Sequence, residues 1–278
     1  MKVSISQITT YPKDMETDAM TFSRAGLKNV ELTFDKVYAY LKQHTLDEMR
    51  ELFDKSGLRA VSAIGLAPET AGLLLASGET WSKYQNKLEE QIQISSKMGC
   101  GLIGVGADPK GYVYDNWERQ AVDNLRRAGD IAAKYNMKLG LEFMYLPEPV
   151  GPFVLDHLRE TVELVLRADH PNIGYFLDLF HMHNGGDGLE ILEDIDMRKL
   201  LNVHFCDAAN KPAGTLFDGD RLLPGKGCLP LDDIVVLLKR RGYNGYLCLE
   251  LLNEELWNME AQPAADLCRA AMVRYENI

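Results

Sequence analysis

Several common signatures are missing from this 278-residue chain, and each absence removes a class of protein. No apolar stretch approaches the roughly 20 residues that a membrane helix requires. No basic-then-apolar leader opens the sequence, which enters a strand pattern at once with Lys2-Val3-Ser4-Ile5-Ser6. Positive charge is scarce: 30 Lys and Arg stand against 41 Asp and Glu, a net charge of -11. Nucleic acid and anionic membranes both need a basic face, so neither is expected as a partner. An acidic substrate is still allowed, because it needs only a locally positive pocket. The five cysteines (Cys100, Cys206, Cys228, Cys248, Cys268) are odd in number, scattered and without a CxxC pair. Four lie in or beside apolar runs, the pattern of reduced core thiols and of a cytoplasmic protein. No Gly-x-Gly-x-x-Gly follows the first strand, so the dinucleotide signature of an open doubly wound sheet is absent.

What is present is a steady alternation of short β-like runs and longer amphipathic stretches. Eight strands are expected, over Val3–Ile8, Asn29–Thr33, Arg59–Ile64, Leu102–Gly106, Lys138–Met144, Ile173–Leu179, Leu201–Cys206 and Tyr246–Leu251. Between them, Trp117, Ala121, Leu125, Ala128 and Ala132 recur at helical spacing, as do Leu88, Ile92, Ser95 and Met98, and Leu231, Ile234, Val235 and Leu238. Gly26, Gly57, Pro171-Asn172 and Gly242–Gly245 punctuate the helix-to-strand joints. With 46% hydrophobic residues and no linker or low-complexity tract, residues 1–278 read as one α/β domain, a (β/α)8 TIM barrel. The chief alternative is an open sheet.

Four candidate metal ligands close four successive strands. They are Glu142 in KLGLEF, Asp178 in IGYFLD, His204 in LLNVHF and Glu250 in GYLCLE, at spacings of 36, 26 and 46 residues. Each spacing is about one strand–helix unit, so the four meet only if their strands lie parallel with these ends at one rim. Singly, each residue is as well explained by an ion pair or a hydrogen-bonded core histidine. Together, inward carboxylates in an apolar setting are costly unless paired or metal-bound, and three beside one imidazole point to a divalent cation. Long loops are expected at the same rim over residues 66–80, 145–155 and 207–231. His183 reads as a loop histidine, and His44, His157 and His170 fall in helix or helix-end patterns away from that rim.

The blocks GLEF, LDLFH, VHFCDA, LPGKG and GYNGYLCLEL, in this order, resemble the sugar phosphate isomerase/epimerase family. These are xylose-isomerase-like barrels that include tagatose-type ketose 3-epimerases, inosose dehydratases and isomerases, and 3-dehydroshikimate dehydratases. The resemblance implies one divalent metal (Mn²⁺ first, with Mg²⁺, Co²⁺ or Zn²⁺ as options) on Glu142, Asp178, His204 and Glu250. It implies substrate contacts from Glu148 and His181, six and three residues past their ligands. Many epimerases carry Arg six residues after the ligand His; here that position is Asn210, and Arg221 and Lys226 become the candidates to hold a polar or anionic group. Relatives are often homodimers or homotetramers.

The implied reaction is isomerisation or epimerisation of a sugar or keto-polyol by proton transfer next to a carbonyl. Glu142 and Glu250 are the expected acid/base pair, working through an enediolate. Arg221-x-x-Pro-Gly-x-Gly-x-Leu-Pro and Leu249-Glu250-Leu251-x-Asn253 also resemble the dehydratase branch, where the same carbanion expels water. An endonuclease of the same fold would need more histidines and a basic face. A sugar-binding barrel without activity would have no need of the Glu142–Glu250 pair.

Overall fold

The computed structural model describes residues 1–65 and 72–276. Its strands are β1 Lys2–Ser6, β2 Asn29–Thr33, β3 Arg59–Ile64, β4 Leu102–Gly106, β5 Lys138–Glu142, β6 Ile173–Asp178, β7 Leu200–Phe205, β8 Asp207–Ala208, β9 Arg221–Leu222 and β10 Tyr246–Leu249. Strands β1 to β7 and β10 close into one parallel barrel in the order β1-β10-β7-β6-β5-β4-β3-β2. A closed parallel ring leaves no sheet edge, and each strand reaches its parallel neighbour through a crossover that lies outside the ring.

The amphipathic repeats become covering helices. Trp117–Lys134 buries Ala121, Leu125, Ala128 and Ala132, and Gly78–Lys97 buries Leu88, Ile92 and Ser95. Leu231–Arg240 turns Ile234, Val235 and Leu238 inward. Helix ends follow local chemistry. Asp14 accepts from the Thr17 amide at 2.7 Å, and Thr45 and Glu48 form a capping box. Gly26 and Gly57 end their helices at φ 79° and 67°, a left-handed geometry that suits glycine.

Size complementarity fills the barrel. Phe176 on β6 lies over Gly104 on β4 and Gly140 on β5; a Cβ at Gly140 would stand 2.2 Å from the ring, and one at Gly104 2.6 Å. The same ring meets His204 edge-on at 5.3 Å and 88°, so the packed floor supports the rim above it.

The expected loops are partly more ordered than periodicity suggested. Residues 66–71 of the first lie outside the described residues, and a helix starts at Gly78. In the third, β8 and β9 pair antiparallel, Asp207 with Leu222 and Ala208 with Arg221. Strands of two residues are too short to show alternation. His183 is helical, within Leu179–Asn184, rather than in a loop. His157 precedes Leu158–Ala168, the helix that follows the β5 loop, and so sits on the rim side, against Tyr145 and Asp187. Cys100, Cys206, Cys248 and Cys268 are buried, Cys228 is exposed, and all five are free thiols.

Candidate metal centre

Parallel register does what the spacings required. Asp178 is paired with His204 across β6 and β7, Glu142 ends β5 beside Phe176, and Glu250 directly follows β10, its amide 3.4 Å from the Phe205 carbonyl. One ligand atom from each of Glu142, Asp178, His204 and Glu250 falls within 4.8 Å of the other three. His204 Nδ1 lies 2.5 Å from Glu142 Oε1 and 3.4 Å from Glu250 Oε2. Three carboxylates and one imidazole nitrogen form a hard, mixed O/N donor set that fits a divalent cation such as Mn²⁺, Mg²⁺ or Zn²⁺.

The electrostatics are those of enclosed, opposed charges. Burial, reinforced by the carboxylates of Glu142 and Asp178, pushes Glu250 up to about 8 despite His204 and Arg221. Asp178 goes the other way: Arg221, with His181 and His204, outweighs its desolvation and holds it well below the usual carboxylate range. Burial would disfavour a charged His204, but Glu142, Glu250 and Glu31 raise it well above 6.5.

The remaining sequence candidates part company here. His181 is 3% exposed; its amide donates to Asp178 Oδ1 at 2.9 Å and its Nδ1 lies 3.2 Å from the Tyr145 carbonyl. Arg221 is drawn fully inside. Nη1 reaches Asp178 Oδ2 at 2.8 Å and Glu250 Oε2 at 3.3 Å, Nη2 reaches His181 Nε2 at 3.2 Å, and Nε donates to Asp218 at 3.1 Å. Its guanidinium also lies over Phe180 at 4.5 Å. Glu148 and Lys226, by contrast, are exposed on their loops, and neither side chain makes an ion pair or side-chain hydrogen bond among the described residues.

Asp207 explains why the LPGKG segment lies against the barrel. Its buried carboxylate accepts from the amides of Ala208, Gly225, Gly227 and Leu229 at 2.9, 3.0, 2.9 and 2.9 Å. A Cβ at Gly227 would meet the Ala208 carbonyl at 2.1 Å and Asp207 Oδ1 at 2.5 Å, so that position has room only for glycine. Asn253 completes the support, donating to the Arg221 carbonyl at 3.0 Å.

Sequence reasoning missed Glu31. It lies on β2, in register with Ser6 and Ser62, is wholly buried, and stands 3.1 Å from His204 Nε2. The signal was available: Val30-Glu31-Leu32 sets an acid inside an apolar strand, as at Glu142, Asp178 and Glu250. Ligand atoms of Glu31, His204 and Cys248 also lie within 4.8 Å of one another. That trio is a poorer cation site, because Glu31 already engages Nε2 and burial raises the Cys248 thiol well above 9.0, against the thiolate a metal needs.

The family described as Xylose isomerase-like TIM barrel matches residues 22–272. An inosose isomerase from Halalkalibacterium halodurans (strain C-125) is 28% identical over 268 residues, covering 95% of this chain and 92% of its own. A 3-dehydroshikimate dehydratase from Pseudomonas putida is 26% identical over 174 residues, 62% of this chain but 26% of the dehydratase. Among solved structures, the IOLI protein with a bound zinc atom superposes with a TM-score of 0.90 at 24% identity over the whole of both chains.

Proposed function

The chain belongs to the xylose isomerase-like TIM barrel family, and we propose on that footing that it is a divalent-metal-dependent isomerase or epimerase of a polyhydroxylated ketone. An inosose is the first substrate to try, because a relative named inosose isomerase is matched along nearly its full length. The observation that carries this reading is the convergence of Glu142 and Glu250 on one imidazole nitrogen, at 2.5 and 3.4 Å, with Asp178 beside them. A barrel that only bound sugar would have no reason to hold two carboxylates so close.

Glu142, Asp178, Glu250 and His204 Nδ1 would hold the cation, Mn²⁺ first, although the zinc of the IOLI protein keeps Zn²⁺ on the list. Bound there, a divalent ion supplies Lewis-acid polarisation of the substrate carbonyl and a neighbouring hydroxyl. The protein's own residues handle the proton. One carboxylate of the Glu142–Glu250 pair takes the proton from the carbon next to the carbonyl, and the C–H electrons move into an enediolate. The other carboxylate, as its conjugate acid, returns a proton to carbon. Asp178 and His204 take no part in that transfer.

Arg221 is already spent on Asp178, Glu250 and Asp218, so its role is to bridge and orient these carboxylates. His181 has both ring nitrogens engaged, by Arg221 and by the Tyr145 carbonyl, so to meet a substrate hydroxyl as proposed its Nε2 would exchange the Arg221 contact for it. Glu148 and Lys226, on the loops above, are proposed to meet the outer polar groups. Residues 1–278 act as a single barrel domain, and the buried reduced thiols suit the cytoplasm.

Proton nuclear magnetic resonance in D₂O, with the Mg²⁺-loaded protein and a panel of inososes, ketoses and 3-dehydroshikimate, tests the reading. Deuterium entering one carbon with the skeleton retained is the expected result. New vinylic signals would instead mean loss of water, a dehydratase. No change with any substrate, under Mg²⁺ or Zn²⁺, would overturn the assignment.

A further inference from the structure

We propose that Glu31 is a positioning residue for the metal centre, fixing His204 so that Nδ1 is the nitrogen offered to the cation. The inference rests on the metal-dependent reading above. Its basis is a buried group of hydrogen bonds below the rim. Glu31 Oε1 stands 3.1 Å from His204 Nε2, while Oε2 accepts from Ser62 Oγ at 2.8 Å and from Asn202 Nδ2 at 3.0 Å. Ser62, Asn202, Glu31 and His204 are all at most 1% exposed, so these contacts are shielded from bulk solvent.

The chemistry is directional. An ionised carboxylate only accepts hydrogen bonds, so a proton lies on Nε2 against Glu31 and, in the charged ring, on Nδ1 against Glu142 as well. It is the Nδ1 proton, on the side of the four ligands, that a cation would displace. In a neutral imidazole the lone pair then falls on Nδ1, the atom that faces Glu142 and Glu250. Without Glu31 either tautomer is open to the ring, and one of them turns an N–H toward the cation. Ser62 and Asn202 matter because they fix the carboxylate from its other oxygen and so prevent it from following the ring. Partners of this kind, behind a ligating histidine, commonly change metal affinity 10- to 100-fold when removed.

A structural reading would have Glu31 merely satisfy Ser62, Asn202 and His204 inside the barrel. The two differ in what Glu31→Gln does. Glutamine keeps the shape but can turn its amide N–H₂ toward Nε2, which places the ring proton on Nδ1. Isothermal titration of folded protein with Mn²⁺ should show affinity lower by about 10- to 100-fold in Glu31→Gln, with Ser62→Ala losing less. Equal Mn²⁺ affinity in wild type and Glu31→Gln overturns the proposal even if the variant is less stable. Should Glu31→Gln not fold, long-range ¹H–¹⁵N spectra of the Zn²⁺-bound wild type read the ring directly. A proton on Nε2 and metal on Nδ1 is the expected pattern; metal on Nε2 overturns it. A wild type that takes up neither ion removes the metal reading itself, and the titration shows that separately from any effect of Glu31.

Discussion

Arg221 Nη1 lies 2.8 Å from Asp178 Oδ2, with the two side chains 2% and 0% exposed. A fixed positive charge thus sits among the carboxylates proposed to bind a cation, and it keeps Asp178 ionised. Replacing Arg221 with Met takes the guanidinium from Asp178 and Glu250 in a closed space and leaves them only the neighbouring histidines as counter-charge. Breaking a buried pair this way costs about 3–5 kcal/mol, which urea unfolding of the metal-free protein should show. Added Mn²⁺ should recover more stability in Arg221→Met than in wild type, since the ion supplies the missing charge. Equal recovery in both would count against a shared carboxylate site.

Glu142→Gln and Glu250→Gln each remove one member of the proposed acid/base pair while keeping its shape. Solvent deuterium incorporation should fall by roughly 10²–10⁴-fold in each, with substrate binding by saturation-transfer spectroscopy retained. Near-normal exchange in both variants would sink the assignment. Chelation with EDTA should abolish exchange in wild type, and Mn²⁺ should restore it.

Asp18 and Lys36 form a second enclosed pair at 2.6 Å, on the helices that follow β1 and β2. Thr10 and Gln7 donate to the same carboxylate at 2.7 and 3.2 Å. Burial still outweighs these partners and pushes Asp18 from 3.8 up to about 6. The folded protein therefore holds this proton more tightly than the unfolded chain. The stability it contributes is complete below the unfolded value and is lost as pH rises through the folded one. Between about pH 4 and pH 6 the stability of wild type relative to Asp18→Asn should thus decline. A flat or rising difference in urea midpoints would show that Lys36 dominates instead.

Asp207→Ala should release the segment that Asp207 holds through four backbone amides. Hydrogen bonds to a charged acceptor are individually substantial, and the loss is expected to be roughly 3 kcal/mol. Hydrogen exchange at Gly225, Gly227 and Leu229 should speed up while the barrel strands stay protected. Unchanged exchange there would show that Asn253 and the β8–β9 pairing hold the segment unaided.

The barrel was legible because its signals are short-range. Each strand is a run of apolar residues ended by a turn, and Gly26 and Gly57 mark helix ends through a backbone geometry that other residues seldom adopt. Ile173–Asp178 could be found without knowing that Gly104 and Gly140 make room for Phe176. The grouping of Glu142, Asp178, His204 and Glu250 was legible for a similar reason. Once strands are parallel, residues at their ends share a rim whatever the loops do.

Other outcomes depended on pairings that leave no periodic trace. Arg221 and Lys226 look alike as loop cations in the sequence, yet one is sealed against Asp178 and the other is in solvent. The β8–β9 pairing, anchored by Asp207, and the Asn253 contact to the Arg221 carbonyl fix the segment with Arg221 inward. Glu31 was passed over because it lies 173 positions from His204, and closing the barrel between β1 and β10 is what brings β2 round to β7. The sequence by itself determined the repeating units and the rim that carries the carboxylates, since both follow from local periodicity. Tertiary structure alone decided which charges are spent on each other. Burial and distance set the worth of a charge, and neither exists until the ring has closed.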